Sequence, residues 1–226
     1  MNRTAQVSLA AVLIVGAGIV GFLAYRSSSD RAEPAAAAVE GVPEDAVALS
    51  PAPATGGGLP GQLPEFSLHD REGKLRSIRE WDGKSLVINF WATWCAPCRR
   101  EIPMLTALNK ERARENIEVL GIAVDFRDQV VAYADKIGLD YALLIGEQDG
   151  LDTMAKFGLA SAGFPFTVFT DNKGRVVTGH IGELHAAEAK VILDAVTRIN
   201  TGRLDMDQAR AEISAGLDKL APADKG

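Results

Sequence analysis

Strands that alternate with helices before a closing hairpin and a last helix predict an α/β domain. Two observations carry this. Ser85–Trp91 and Ile117–Val124 are short, apolar, β-branched runs, each followed by a segment of helical composition, as buried parallel strands require. Further on, Phe166–Thr170 and Arg175–Ile181 flank the turn residues Asp171-Asn-Lys-Gly174, which reads as a hairpin.

The 226 residues allow one ordinary domain with appendages. Val7–Tyr25 is nineteen uncharged residues, just long enough for a membrane-spanning helix. Gly16, Gly18 and Gly21 suit a membrane helix better than a soluble one. The alternative is a cleaved signal peptide, whose apolar core is usually shorter, at ~7–15 residues. Phe22-Leu-Ala-Tyr-Arg26 is no cleavage site and only Ser27–Ser29 offers one, so an uncleaved anchor over 1–26 is favoured. Residues 27–62, rich in Ala, Pro, Gly and Ser, cannot bury enough apolar surface to order themselves. They form a flexible tether of about 35 Å root-mean-square span.

Folding is expected from residue 63 to 203. Pro64–Leu68, the turn Asp70–Gly73 and Lys74–Ser77 suggest an N-terminal β-hairpin ahead of the first buried strand. Arg99–Glu115 carries Ile102, Leu105, Leu108 and Arg112 at helical spacing, and Pro103 should kink that helix. After the strand ending at Asp125, Asp128 can cap a helix that runs to Ile137 and stops at Gly138. Tyr141–Ile145 reads as a short strand and Leu151–Phe157 as a short helix closed by Gly158. Leu184–Asn200 is an amphipathic helix placed to cover the sheet. Residues 204–226 form a C-terminal helical extension with a narrow stripe of Ile213, Leu217 and Leu220; it packs on the domain, binds a partner or frays.

Trp94-Cys95-Ala96-Pro97-Cys98 holds both cysteines of the chain. It lies where a central strand gives way to a helix N-terminus, whose unpaired N–H groups and dipole favour thiolate over thiol. Cysteines at this spacing close a disulfide reversibly, and strand–CxxC–helix reads as a thioredoxin-like redox motif. Structural zinc needs four ligands, and the remaining candidates, His69, His180 and His185, are scattered, so no metal site is expected. A purely structural disulfide over so small a loop removes little unfolded-state entropy.

Cys95, first in the motif, is assigned as the attacking thiolate, with Arg99 and Arg100 within about one turn adding positive potential, although Arg100 reads more readily as an exposed cationic face. Cys98, one turn deeper, is the resolving thiol. Glu101 lies on the next turn of the same helix face and can accept the Cys98 proton. A surface Glu paired with a neighbouring Arg is the other reading of that spacing. Trp94 shields the disulfide, while Trp91 is as readily core. The net charge of −6, with no basic block longer than Arg99-Arg100, argues against a nucleic-acid partner.

Residues 89–103, Asn-Phe-Trp-Ala-Thr-Trp-Cys-Ala-Pro-Cys-Arg-Arg-Glu-Ile-Pro, resemble the active-site block of the TlpA/ResA/CcmG family. The similarity runs from about Leu63 to about Asn200. It implies a thioredoxin-like fold, a central mixed sheet flanked by helices, with an extra N-terminal β-hairpin. It further implies a monomeric thiol–disulfide oxidoreductase without a cofactor, anchored in the cytoplasmic (inner) membrane by a single pass, with its N-terminus in the cytoplasm and its catalytic domain in the periplasm. Client proteins with disulfides, such as apocytochrome c or copper-delivery proteins, would be reduced with electrons from a membrane thiol donor. Cytosolic thioredoxins carry a buried Asp where Asn89 stands, and the family instead places a Glu shortly after the second Cys, which Glu101 matches. Thioredoxin-like folds also set a cis-proline opposite the CxxC; Phe164-Pro165 fits that position, with Phe164 flanking a substrate groove shared with Trp94, Ala96 and Pro97. Ala96-Pro97 resembles the reducing members rather than the oxidants and isomerases, which often carry His there. Peroxiredoxins place Thr or Ser where Ala92 stands. A Cu(I)-binding chaperone is the rival of another class, but Met104 and Met154 stand without a motif.

Overall fold

The computed structural model describes residues 58–158 and 163–220. The expected anchor, Val7–Tyr25, and most of the expected tether lie outside the described residues. Among the described residues no helix is long and apolar enough to cross a membrane.

A seven-stranded mixed sheet forms the centre. Its strands are β1 (Ser67–Asp70), β2 (Leu75–Ser77), β3 (Ser85–Trp91), β4 (Ile117–Val124), β5 (Ala142–Gly146), β6 (Phe166–Thr170) and β7 (Val176–Ile181), in the spatial order β2-β1-β5-β4-β3-β6-β7. Strands β3, β4 and β5 run parallel, whereas β6 pairs antiparallel with β3 and the β1–β2 hairpin adds antiparallel to β5. Every residue of β3 is buried, which is why it reads as a continuous apolar run rather than an alternating one.

Period-two alternation sorts these strands between two cores. Val87, Trp91, Val119, Leu143 and Phe169 face α1 (Ala96–Arg112), α2 (Arg127–Ile137) and α4 (Ala186–Asn200). Leu86, Ile88, Phe90, Leu120 and Val168 face Phe66, Leu68, Trp81 and the end of α3 (Gln148–Ala155), where Met154 and Phe157 are buried. Phe90 meets Phe157 edge-on and stacks on Phe166, with ring centroids 5.6 and 6.0 Å apart.

Several boundaries shift. Helix α1 starts at Ala96 rather than Arg99, because Cys95 itself caps it, and it runs on through Pro103 to Arg112. Asp128 is not the cap of α2: Phe126 takes that position, and Asp128 lies in the first turn. Gly138 closes α2 at φ 63°, in the left-handed region that glycine enters freely. Helix α3 begins at Gln148 and ends at Ala155, three residues earlier at its start than periodicity predicts. Gly61 and Gln62, assigned to the tether from composition, already pair with the β7 edge. The Gly61 carbonyl accepts from the Val176 N–H, and Gln62 bridges Arg175.

The C-terminal helix α5 (Met206–Leu220) packs against α4. Its buried residues are Ala209 and Ile213, with Leu217 packed partly beneath; Leu220, expected on the same stripe, is exposed. Arg210 fixes the helix to the sheet edge by donating to the carbonyls of Val176 and Val177, at 2.9 and 3.1 Å.

Candidate active site

Strand β3 delivers the redox motif. Beyond Trp91 the chain turns, and the Cys95 N–H donates to the Ala92 carbonyl at 3.2 Å. The turn is pinned from the neighbouring strand end: Asp125, buried after β4, accepts from the Thr93 N–H at 3.0 Å, from the Thr93 hydroxyl, and from the Phe126 N–H at 2.8 Å. Nothing in the spacing of Thr93 and Asp125 reveals that contact, although a carboxylate ending a strand beside the central one is a usable signal.

Cys95 caps α1, and its sulfur accepts from the Cys98 N–H at 3.2 Å. Helix-end placement therefore aims a backbone N–H at the Cys95 sulfur. The two cysteines are joined as a disulfide, with Cα atoms 5.3 Å apart. Both are buried; Cys98 is fully covered and Cys95 is only 4% exposed, less than its place at the helix end suggests. Trp94, by contrast, is 66% exposed.

Glu101 departs most from a surface residue. It is 2% exposed, and its two oxygens accept from the Asn89 side-chain amide and the Leu184 N–H, each at 2.7 Å. Asn89 also donates to the Thr167 hydroxyl at 3.0 Å, so β3, β6 and α1 share one polar junction. Burial pushes Glu101 up from 4.5 to about 7; the Leu184 N–H and the Asn89 amide oppose the rise, and the Glu183 carboxylate adds to it. A buried carboxyl lifted towards neutral pH, one helix turn from buried Cys98, is suited to take and return a proton. The pairing with a neighbouring Arg that spacing alone allows belongs instead to Glu183: Arg100 Nε donates to both of its oxygens, at 2.9 and 3.1 Å, and Arg100 Nη2 donates to one of them. Arg100 is exposed, as its reading as a cationic face requires, and its charge is offset by Glu183.

The Phe164–Pro165 peptide bond is cis, as expected. Because Phe90 pairs with Phe166, Pro165 lies at the sheet end from which β3 leads into the motif. The Phe164 ring meets Trp94 edge-on at 5.8 Å, so the segment before the cis-proline touches the redox motif. Ala96 is exposed and Pro97 half-buried at the start of α1. His69 lies exposed on β1, His180 half-buried on β7 and His185 exposed ahead of α4, each on a separate element.

A family model described as the AhpC/TSA family matches residues 60–179. The chain belongs to that family. Thioredoxin-like protein YneN of Bacillus subtilis (strain 168) is 36% identical over 139 residues, which cover 59% of this chain and 77% of that protein. Thiol-disulfide oxidoreductase ResA of Geobacillus thermodenitrificans (strain NG80-2) is 29% identical over 134 residues, covering 59% and 75%. Among solved structures, a secreted thiol-disulfide isomerase from Corynebacterium glutamicum matches with a TM-score of 0.53 at 23% identity, covering 68% of this chain and 86% of that one; the likeness is one of fold. Within the AhpC/TSA family the chain falls in the TlpA/ResA/CcmG group, with a thioredoxin-like fold and thiol–disulfide oxidoreductase activity of the ResA type.

Proposed function

We propose that this oxidoreductase works as a reductase, tethered to the cytoplasmic membrane with its catalytic domain in the periplasm, acting on clients such as apocytochrome c or copper-delivery proteins. Ala96-Pro97 between the cysteines supports the reducing direction, and the observation that carries the resolving chemistry is buried Glu101 on the helix turn after buried Cys98. In the reduced protein the Cys95 thiolate attacks a client disulfide, forming a Cys95–client bond and expelling one client thiolate. Cys98 then yields its proton to the Glu101 carboxylate and attacks the Cys95 sulfur. The Cys95–Cys98 bond forms, the second client thiolate leaves, and two electrons have passed to the client. The disulfide in the structure is the product of that half-cycle. A membrane thiol donor returns the two electrons. Val7–Tyr25 and the Ala/Pro-rich stretch after it support the tether.

Trapping tests the reading. Full-length Cys98→Ser should accumulate mixed disulfides on Cys95 in the membrane fraction, with haem-attachment or copper-delivery proteins among the adducts, and Cys95→Ala should accumulate none. Adducts on Cys98 in place of Cys95 would overturn the assignment of roles. Recovery of the chain from the cytosol would overturn the location.

A further inference from the structure

Among the described residues only a few large apolar side chains are strongly exposed, and three of them gather at one place beside the redox motif. Trp94, Phe126, 59% exposed, and Leu151, 39% exposed, line an open cavity of about 390 Å³ together with Val124, Asp125, Glu147 and Gln148. Three segments build it: the turn before Cys95, the β4–α2 junction and the start of α3. It lies apart from Phe164 and Pro165, neither of which lines it, and Trp94 is the residue common to both surfaces. Apolar exposure of this kind, next to a reactive centre, marks a contact surface rather than scattered surface residues.

Its electrostatics are one-sided. Every ionisable side chain lining the cavity is a carboxylate, Asp125 or Glu147, and Asp149 and Asp152 stand exposed on the same helix α3. The nearest cation in sequence, Arg127, is turned away, donating to the carbonyls of Asp70 and Arg71. A partner must therefore bring an apolar group for Phe126 and Leu151 and a positive charge for the rim.

We propose that this cavity is a second client-docking surface, selecting disulfide-bearing segments in which the attacked cysteine is followed by an apolar residue and then Lys or Arg. The proposal rests on the reductase reading of the site and adds to it a charge preference. Trp94 would contact the client beside the disulfide, Phe126 and Leu151 would receive the apolar side chain, and Glu147 would pair with the cation. A membrane rich in anionic lipid is repelled by the same carboxylates.

The test uses the reduced full-length chain in detergent and two disulfide-linked peptides of sequence Ala-Cys-Leu-X-Ala, X being Lys or Glu. Hydroxyethyl disulfide, too small to span the cavity, reports on the dithiol alone. At low salt the Lys peptide should be reduced on the order of 10-fold faster than the Glu peptide, and the ratio should shrink as salt screens the rim. Glu147→Gln should bring the ratio towards one and Glu147→Lys should invert it. Phe126→Ser and Leu151→Ser should slow both peptides relative to hydroxyethyl disulfide. A ratio near one in the parent chain, or a ratio unmoved by Glu147→Lys while hydroxyethyl disulfide is still reduced, overturns the docking surface alone. Loss of a concentration-dependent dimer in Leu151→Ser overturns it too, by making the patch a self-contact. Failure to reduce hydroxyethyl disulfide overturns the reductase reading and this proposal with it.

Discussion

Glu101→Gln in the oxidised protein isolates the titration of one buried acid, because with the disulfide closed neither thiol takes part. Burial lifts Glu101 from 4.5 to about 7. At about 1.4 kcal/mol per tenfold change in proton affinity, that difference corresponds to about 3 kcal/mol. The folded value lies above the unfolded one, so the folded chain binds this proton more tightly. The stability it contributes is therefore complete below pH 4.5 and is lost as pH rises towards 7. Glutamine keeps the shape and does not titrate. Urea midpoints from pH 4 to pH 8 should show the parent chain losing about 3 kcal/mol relative to the variant, mostly between pH 4.5 and 7. In the reduced protein the same substitution should slow the resolving step on the order of 10²-fold by removing the base. Stopped-flow exchange across pH would also reveal a lower thiol pKa, since a negative neighbour is gone. Stability curves that stay parallel, with superimposable rate profiles, would refute the reasoning.

Three further outcomes follow from packing and charge. Gly121→Ala should destabilise the chain by about 1–3 kcal/mol in thermal unfolding, because the added Cβ would come within 2.9 Å of the Tyr141 ring and 3.2 Å of the Trp91 indole nitrogen in a closed core. Ile213→Ala should cost about 2–4 kcal/mol and raise amide exchange across α5, while the exchange rate of the folded dithiol stays near that of the parent. Glu183→Gln should shift the pH profile of the resolving step downward, because the Glu183 carboxylate helps to hold Glu101 up. Its stability cost should be small in the same urea titration, since the Arg100 partner is exposed and solvent screens the pair.

Short-range features were legible. The buried strands announce themselves through apolar β-branched runs, the β6–β7 hairpin through its turn residues, and the redox pair through its place between a strand and a helix. Helix starts were less so, for a physical reason. Cys95 replaces the usual hydroxyl or carboxylate cap, and α2 starts after Phe126 without a side-chain cap, because the acid before it, Asp125, spends its oxygens on Thr93 and on the Phe126 N–H beside it. The pattern rules for caps cannot register an acid whose partner is 32 residues upstream. The role of α5 was open for a similar reason: its docking depends on Arg210 reaching sheet-edge carbonyls, not on its apolar stripe alone.

The candidate site divides in the same way. Cys95, Cys98 and Glu101 fall on one helix, so spacing alone joins them. What makes Glu101 chemically distinctive arrives from elsewhere. Leu184 donates to it from 83 residues away, and Asn89, from the strand before the motif, donates to its other oxygen. The Leu184 segment also carries Gly182, whose N–H donates to the Pro165 carbonyl at 2.9 Å, and Glu183, which holds Arg100. One short stretch, Gly182–Leu184, thus touches both the cis-proline and the buried Glu101 carboxyl. The exposed Arg100–Glu183 pair contributes little by itself. The Leu184 N–H, which donates to a desolvated carboxylate, carries more of the link, because ionised acceptors form the stronger bonds and a buried one left unpaired is costly. Displacement of Pro165 therefore acts on the same backbone that positions Glu101, a physical route by which a client docked there, as proposed, would reach the resolving step.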